Sequence, residues 1–251
     1  MGNWERFNKR SDKYEKYRPR YPDELLELLK KETGLNTSSE VADVGSGTGI
    51  LSELIIRAGC KLFCVEPNEE MRRVAFQKFE GFENCEIIDG TAERTTLPDA
   101  SVDIIVVGQA FHWFDPLESR REFGRILKQG GYVALVWNTR IEVTEGMNFE
   151  YERMVKKYSP GYRESGSRTL ERGSIDRFFN GNYRLFKLTN GQTLDLEGLM
   201  GRYLSSSYAI DEKNANFNYL KSDLSRAFSK FEKDGHVTLK YETEVFLGGI
   251  D

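Results

Sequence analysis

Three glycines, Gly45, Gly47 and Gly49, stand within five residues, directly behind the short apolar run 40–44. Glycines at this density let a ligand approach the main chain closely. A loop that binds a nucleoside triphosphate would continue with a lysine and a serine or threonine, whereas an apolar Ile-Leu pair follows here. A dinucleotide loop would place its third glycine one residue later, where this chain has Ile50. The spacing therefore excludes the first ligand class and disfavours a nicotinamide oxidoreductase.

Two carboxylates accompany this loop. Asp43 lies two residues before the first glycine, at the carboxyl end of a predicted strand, where it would repel a pyrophosphate. Glu66 ends the next predicted strand, about 20 residues beyond the loop, which is the spacing expected of an acid that binds ribose hydroxyls. Together they predict a site for a nucleoside that carries positive charge instead of phosphate.

Four segments occur in order along the chain: VADVGSGTG, CVEPN, GTAERTTLPDASVDIIVVGQAFHWFD and LKQGGYVALVW. They resemble the class I S-adenosylmethionine-dependent methyltransferases, and within them the small-molecule branch similar to trans-aconitate methyltransferase-like (methyltransferase type 11) proteins. The resemblance covers residues 14–138 well and residues 199–249 more loosely. It implies S-adenosyl-L-methionine as the cofactor and in-line transfer of its methyl group to a small-molecule carboxylate, hydroxyl or amine.

The resemblance also implies roles for individual residues. The glycine loop would pass under the methionyl part of the cofactor, and Glu66 would bind the ribose. Asp43 would orient the loop and bind the cofactor's ammonium, directly or through water. The implied cofactor contacts are Tyr14, Arg18, Asp43, Gly45, Ser46, Gly47, Glu66, Pro67, Asn68, Met71, Thr91, Ala92, Glu93 and Gln109.

Two of these contacts have an open alternative. Met71 would lie against the adenine, but its helical position is equally consistent with simple packing. Thr91 stands where the family usually has an aspartate that binds the adenine amino group. Ala92 and Glu93 are therefore candidates for the adenine contact beside Thr91.

The segment GQAFHWFD, residues 108–115, follows a predicted strand at the sheet edge where open α/β sheets bind ligands. Its aromatic rings would keep water from the transferring methyl and face the sulfonium. His112, one of only two histidines, is the candidate catalytic base, and the alternative is that it only packs and hydrogen-bonds within the lid. Three cysteines without metal-site spacing predict no metal site.

The first 22 residues carry seven basic and three acidic side chains, interleaved with aromatic residues. The resemblance makes this segment a lid, in which Arg18 pairs with the cofactor's carboxylate. The alternatives are a patch that binds phosphates and stacks bases of a nucleic acid, and a solvated arm. The lid is favoured because the whole chain is mildly acidic, with 36 Lys and Arg against 40 Asp and Glu.

Short apolar strands that alternate with amphipathic helices must position these residues. The alternation indicates parallel βαβ units with helices on both faces of the sheet. The last of these helices would be closed by the glycine pair at 130–131. The predicted strands are 40–44, 61–65, 85–88, 102–108, 132–137, 183–188, 192–196 and 236–247.

The predicted fold is α/β: a doubly wound, Rossmann-like, seven-stranded, mostly parallel sheet with an antiparallel C-terminal strand and a helical lid. The 251 residues are expected to form a single domain. Its predicted parts are an N-terminal lid segment (1–22), a cofactor-binding core (23–138), lid and acceptor-pocket insertions (139–182 and 197–233) and C-terminal edge strands (236–247).

The apolar runs are too short to cross a bilayer, and the N-terminus lacks the apolar middle of a secretion signal. The sequence therefore predicts a cytoplasmic enzyme without membrane partners, for which nucleic acid is an improbable partner. Two further hypotheses stay open: an RNA or protein methyltransferase that uses the basic aromatic arm, and a protein that binds the cofactor without catalysis.

Overall fold

The computed structural model describes residues 11–162 and 168–250, and the first ten residues of the predicted lid lie outside these ranges. Seven strands form one sheet in the spatial order β3-β2-β1-β4-β5-β7-β6. Because β1 pairs with both β2 and β4, the point between β1 and β4 is the topological switch at which open α/β sheets bind ligands. The strands are β1 Glu40–Val44, β2 Lys61–Val65, β3 Cys85–Ile88, β4 Val102–Gly108, β5 Leu127–Arg140, β6 Arg184–Leu194 and β7 Val237–Gly248.

Helices cover both faces of the sheet. Successive residues of a strand point to opposite faces, so Val41 packs with α2 and α3 while Ala42 packs with α5 and α7. This arrangement confirms the predicted doubly wound α/β fold. No helix within the described ranges is both long and apolar enough to cross a membrane. The helices are α1 Ser11–Tyr17, α2 Asp23–Thr33, α3 Ile50–Ile55, α4 Glu69–Lys78, α5 Pro116–Ile126, α6 Gly146–Tyr158, α7 Arg168–Phe179, α8 Leu196–Leu204 and α9 Phe217–Phe231.

A third apolar cluster joins α6, α8 and α9 to the first half of β7. Tyr151, Tyr203 and Tyr241 are fully buried in it. Most of this cluster comes from the segments 139–182 and 197–233, of which residues 163–167 lie outside the described part of the chain.

The C-terminal strand is antiparallel, as predicted, but its predicted place at the edge of the sheet is wrong. β7 lies between β5 and β6 and pairs antiparallel with both, so β6 forms the edge. The alternating pattern of β7 arises because one face of the strand packs on the core and the other is more exposed, and this pattern does not distinguish an edge strand from its neighbour.

Two strand boundaries also differ from the prediction. β5 begins at Leu127, so the glycine pair at 130–131, predicted to end a helix, belongs to the strand. Glycine allows the close approach of the two strands there, because a Cβ on Gly131 would lie 2.7 Å from the Asp103 carbonyl oxygen. The segments 183–188 and 192–196 form one strand, β6, because β7 is long enough to pair with it throughout. β6 ends at Leu194, where Asp195 caps α8.

Candidate active site

The glycine loop leaves β1 and turns sharply into α3. Gly45 and Gly47 have φ angles of +69° and +59°, in the left-handed region that favours glycine. A Cβ on Gly45 would lie 2.7 Å from the Cβ of Ala110, so the loop packs directly against the segment that follows β4. The amides of Gly45 and Ser46 donate to the carbonyl of Val65 at 2.8 and 3.1 Å, and this ties the loop to the end of β2.

Glu66 joins the glycine loop to the start of α4. Its Oε2 accepts a hydrogen bond from the amide of Gly47 at 2.9 Å, and its Oε1 accepts one from the amide of Asn68 at 2.8 Å. Burial raises the pKa of Glu66, and the two amides oppose this rise. Because each carboxylate oxygen has a second lone pair, Glu66 can still accept hydrogen bonds from a diol in the cavity.

A cavity of about 290 Å³ opens at this edge of the sheet. It lies where the carboxyl ends of β1, β2, β4 and β5 meet, as the switch-point rule expects. The predicted site residues in its wall are Tyr14, Arg18, Gly45, Gly47, Glu66, Pro67, Met71, Thr91, Ala92, Glu93, Gln109 and His112.

Asp43 and Ser46 line a smaller cavity of about 60 Å³, which shares Arg18 with the larger one. Asp43 is fully buried; its Oδ2 accepts from the hydroxyl of Ser52 at 2.5 Å, while its Oδ1 has no hydrogen-bond partner among the described residues. Burial raises the pKa of Asp43 to about 7, and the charge of Glu66 adds to the rise. The orphaned oxygen makes Asp43 a ready acceptor for a cationic group.

Asn68, a predicted cofactor contact, does not line either of the two cavities. Its Oδ1 accepts from the amide of Met71 at 3.0 Å and caps α4, the position that asparagine prefers. Asn68 supports the site through its main chain, whose amide binds Glu66.

Thr91 and Glu93 reach the wall of the cavity with partners of their own. The amide of Arg94 donates to Oγ1 of Thr91 at 3.2 Å, and the amide of Asp115 donates to Oε1 of Glu93 at 2.9 Å. Ala92, which is 3% exposed, lies between them.

Gln109 is held at φ +59° directly after β4, an unusual conformation for a residue other than glycine. Its amide donates to the carbonyl of Val136 at 2.9 Å, and its Nε2 donates to the carbonyl of Asn138 at 3.2 Å. Such backbone strain is typical of ligand sites, because the surrounding structure must maintain it.

The described part of the N-terminal segment closes one side of both cavities. The guanidinium of Arg18 lies 4.6 Å from the ring centre of Tyr14 and donates to the carbonyl of Ser205 at 3.0 Å. Burial lowers the pKa of Arg18, and its buried Nε has no partner among the described residues. The neighbouring basic residues are engaged within the chain: Lys16 pairs with Glu197, and Arg20 pairs with Glu15 and Glu53.

His112 lies in a helical turn behind β4, and its ring centre is 4.6 Å from that of Trp113. His112 is exposed and lines the cavity. Desolvation by the surrounding protein lowers the pKa of His112 to about 4, and the positive charge of Arg18 contributes. The ring is therefore neutral at pH 7, when it can accept a hydrogen bond.

The cavity wall also contains residues that were not among the individually predicted contacts. Gly108, Ala110, Trp113 and Phe114 belong to the segment GQAFHWFD, whose aromatic rings were predicted to surround the methyl group. Trp137 to Arg140 come from the extended end of β5. The others come from the segments predicted as acceptor-pocket insertions, where no individual residue was predicted: Tyr162, Arg202, Ser207 and Tyr208.

The doubly wound sheet with an antiparallel β7 is the Rossmann-like fold that methyltransferases share, and the comparisons with known proteins agree. Residues 42–135 match the family described as a methyltransferase domain. An uncharacterized methyltransferase of Schizosaccharomyces pombe is 38% identical over 128 residues, which cover 51% of this chain and 50% of that protein. A malonyl-acyl-carrier-protein O-methyltransferase of Marinomonas sp. is 33% identical over 133 residues, which cover 51% and 48%.

The solved structure of a candidate type II methyltransferase from Anaeromyxobacter dehalogenans superposes with a TM-score of 0.70 at 21% identity, over 93% of this chain and 98% of that one. This likeness shows the fold. The chain spans about half the length of the curated relatives it matches. Residues 42–135 therefore match a methyltransferase domain, and the chain has the Rossmann-like fold of the solved methyltransferase structure. The narrower trans-aconitate-like branch stays a prediction.

Proposed function

We propose that this protein transfers the methyl group of S-adenosylmethionine to a small-molecule acceptor. The observation that carries the proposal is the position of Glu66. Its carboxylate is buried at the cavity wall, and amides of the glycine loop and of the start of α4 fix both oxygens. It can accept from two neighbouring hydroxyls, and a ribose provides such a pair.

The buried polar atoms near the loop fit the ends of this donor. Asp43 offers an acceptor oxygen without a partner among the described residues, which suits an ammonium group. The buried Nε of Arg18 also has no hydrogen-bond partner among the described residues, and a guanidinium suits a carboxylate. A diphosphate would meet Asp43 and Glu66, two acids close enough for one to raise the pKa of the other, so a dinucleotide fits poorly.

The remaining predicted contacts complete the proposed site. Met71 and Pro67 line the wall beyond Glu66, where the adenine would extend from the ribose. Because Thr91 and Glu93 already bind main-chain amides, we assign the adenine contact chiefly to Ala92. These placements follow from the position assigned to the ribose.

The bound donor would supply a methyl group that its sulfonium already activates. The chain then has to hold the acceptor in line and keep water away, and good alignment can supply on the order of 7–11 kcal/mol of the barrier. The rings of Trp113, Phe114 and Trp137 form an aromatic wall suited to a sulfonium. We propose that neutral His112 accepts a hydrogen bond from the acceptor and acts at most as a weak base.

Titration calorimetry tests the proposal with S-adenosylhomocysteine, the demethylated form of the donor, and with NAD. We expect binding of S-adenosylhomocysteine and none of NAD. Glu66→Gln should weaken the binding about 10- to 100-fold, because it removes charge-assisted hydrogen bonds to the diol. Glu69→Gln, an exposed carboxylate in the first turn of α4, is the matched control and should bind like the wild type. A preference for NAD, or equal losses in the two variants, would refute the proposal.

A further inference from the structure

Two of the three cysteines face each other across neighbouring strands of the sheet. Cys64 lies in β2 and Cys85 begins β3, and the parallel register pairs Cys85 with Leu62, two residues before Cys64. Residues two apart on a strand share a face, so both thiols lie on the side of the sheet that packs with α3. Their Sγ atoms are 3.8 Å apart, and both cysteines are free thiols. The fold therefore holds two thiols in contact without a bond between them.

The two thiols differ in exposure and in acidity. Cys64 is fully buried, whereas Cys85 is half-buried on the edge strand β3. The hydrogen bond between the thiols lowers the pKa of Cys85 and outweighs its partial burial. The same bond raises the pKa of Cys64, and burial adds to that rise. Because the thiolate is the reactive form, Cys85 is the member of the pair suited to react first with a small oxidant.

The third cysteine, Cys60, lacks these features. It is fully buried, and its Sγ donates to the carbonyl of Ile55 at 3.6 Å. Burial raises the pKa of Cys60 to about 11, so it stays a protonated thiol at pH 7. Cys60 is therefore an internal control for the reactivity of the other two.

Cys64 also connects the thiol pair to the candidate donor site. Its thiol donates to the hydroxyl of Ser52 at 3.2 Å, and that hydroxyl donates to Oδ2 of Asp43 at 2.5 Å. A thiol has one proton, so a covalent bond formed at the sulfur of Cys64 leaves no proton to donate to Ser52. Oxidation of Cys64 therefore changes the hydrogen bonding of the hydroxyl that holds Asp43.

β3 leads directly into the loop that carries Thr91, Ala92 and Glu93 to the cavity wall. This loop packs tightly on β2, because a Cβ on Gly90 would lie 2.9 Å from Cγ1 of Val65. The tight packing leaves no room for β3 to approach β2 while the loop keeps its place. A movement of β3 towards β2 therefore displaces residues 91–93.

Arg72 joins the end of β2 to the end of β3. Its Nη1 donates to the carbonyl of Glu66 at 2.8 Å, and its Nη2 donates to Oδ2 of Asp89 at 3.0 Å. A displacement of β3 is therefore transmitted to Glu66 as well as to the loop 91–93.

We propose that Cys64 and Cys85 are a peroxide-sensitive pair that forms an intramolecular disulfide, and that this disulfide weakens binding of the methyl donor. The part that concerns the donor rests on the proposed function. A disulfide brings its sulfurs to about 2.05 Å, so the pair must close by roughly 1.8 Å. β3 can make this movement because it has four residues and pairs with one strand of the described sheet, β2.

The oxidation proceeds in two steps. The Cys85 thiolate attacks one oxygen of hydrogen peroxide, so that an S–O bond forms, the O–O bond breaks, and the leaving hydroxide takes up the proton lost by Cys85. The sulfur of Cys64 then attacks the sulfenic acid, so that the S–S bond forms, the S–O bond breaks, and the hydroxide leaves with the Cys64 proton as water. Two thiols lose two electrons to one peroxide and give one disulfide and two waters.

Peptide mapping tests the disulfide. Reduced protein is treated with hydrogen peroxide, the remaining thiols are alkylated after unfolding, and the tryptic peptides are analysed by mass spectrometry. Trypsin places Cys60, Cys64 and Cys85 in the separate peptides 58–61, 62–72 and 79–94. We expect peptide 62–72 linked to peptide 79–94, and peptide 58–61 alkylated as a free thiol.

Three variants assign the roles of the cysteines. Cys85→Ser should form no disulfide and leave Cys64 reduced. Cys64→Ala should stop at the sulfenic acid of Cys85, which dimedone traps. Cys60→Ala is the matched control and should form the disulfide like the wild type. The half-buried Cys85→Ser keeps the test decisive if the buried Cys64→Ala does not fold.

Calorimetry with S-adenosylhomocysteine tests the effect on the donor site. The oxidised protein should bind about tenfold more weakly than the reduced protein, which is the size of one hydrogen bond, and a reductant should restore the affinity. Peroxide also oxidises methionine, so Cys85→Ser is treated in parallel and should keep its affinity.

An intermolecular disulfide, or oxidation of Cys60 as fast as that of Cys85, would overturn the proposed pair. Equal affinities of the oxidised and reduced protein, or an equal loss in Cys85→Ser, would overturn its effect on the donor site. If S-adenosylhomocysteine does not bind the reduced protein, the proposed function fails, while the linked peptides still report on Cys64 and Cys85.

Discussion

His112 shows how much the protonation of one side chain depends on its surroundings. In water an imidazole is half protonated near pH 6.5. Desolvation at the cavity wall and the charge of Arg18 lower the pKa of His112 to about 4, so at pH 7 it is neutral and a weak base. A carboxylate acceptor suits such a site, because it is already deprotonated and needs no base.

We expect the His112 imidazole of the unliganded protein to titrate near pH 4. The measurement is an NMR titration of the histidine ring signals from pH 3.5 to 8. The chain has only two histidines, and His112→Ala identifies one signal by its loss and leaves that of His236 as the internal reference. A midpoint at or above pH 6.5 for His112 would contradict the desolvation and would favour a general base instead.

The strands of the sheet explain why the positions of two site residues could be predicted from the sequence. Asp43 and Glu66 end parallel strands that pair in register, so their places could be inferred from strand ends alone. Arg202 and Tyr208 could not be placed in this way. They belong to insertions more than 130 residues beyond Glu66, and only the packing of α6, α8 and α9 brings them to the cavity.

The strand errors have a related cause. Residues 127–131 contain two glycines, which end helices as readily as they allow a bulge in a strand. The choice depends on β4, which offers Leu127 a pairing partner at Val102. The prediction that β7 lies at the edge of the sheet was wrong because the order of strands depends on the whole sheet, in which β6 pairs with the outer side of β7.

α1 and α8 form the contact on which the lid depends. Tyr17 packs on Gly201, where a Cβ would lie 2.5 Å from its ring carbons, and the Tyr17 hydroxyl donates to Glu197 at 2.9 Å. We expect Gly201→Ala to displace Tyr17 and with it Arg18, and to weaken S-adenosylhomocysteine binding about tenfold by the loss of one charge-assisted contact.

Calorimetry measures this affinity, and urea unfolding shows that the variant folds. Gly124→Ala in α5 is the control, because a Cβ there meets nothing within 4 Å. It should bind S-adenosylhomocysteine normally and gain roughly 1 kcal/mol of stability from the better helix former. Unchanged binding in Gly201→Ala would mean that this contact does not position Arg18.

At the scale of the whole molecule, Glu122 and Asp43 make the free energy of unfolding depend on pH in opposite directions. A carboxylate whose folded pKa is lowered stabilises the fold above its unfolded pKa. Glu122 is such a group. Burial opposes its ionisation, but Arg125 and Thr95 outweigh this effect and lower its pKa from 4.5 to about 2. Its contribution to stability is therefore lost as the pH falls from 4.5 to about 2. Asp43 behaves in the reverse way.

Asp43 has an ordinary pKa of 3.8 and a folded pKa of about 7. Between these values the folded state holds more protons than the unfolded state, so its contribution to stability is complete below pH 3.8 and is lost as the pH rises to about 7. Asp43→Asn cannot titrate and keeps an oxygen for Ser52. Its free energy of unfolding, measured in urea from pH 4 to 8, should therefore rise relative to the wild type by on the order of 4 kcal/mol. Asp23→Asn, which removes an exposed acid paired with Arg57, should show no such rise, and parallel profiles for wild type and Asp43→Asn would mean that Asp43 stays ionised in the fold.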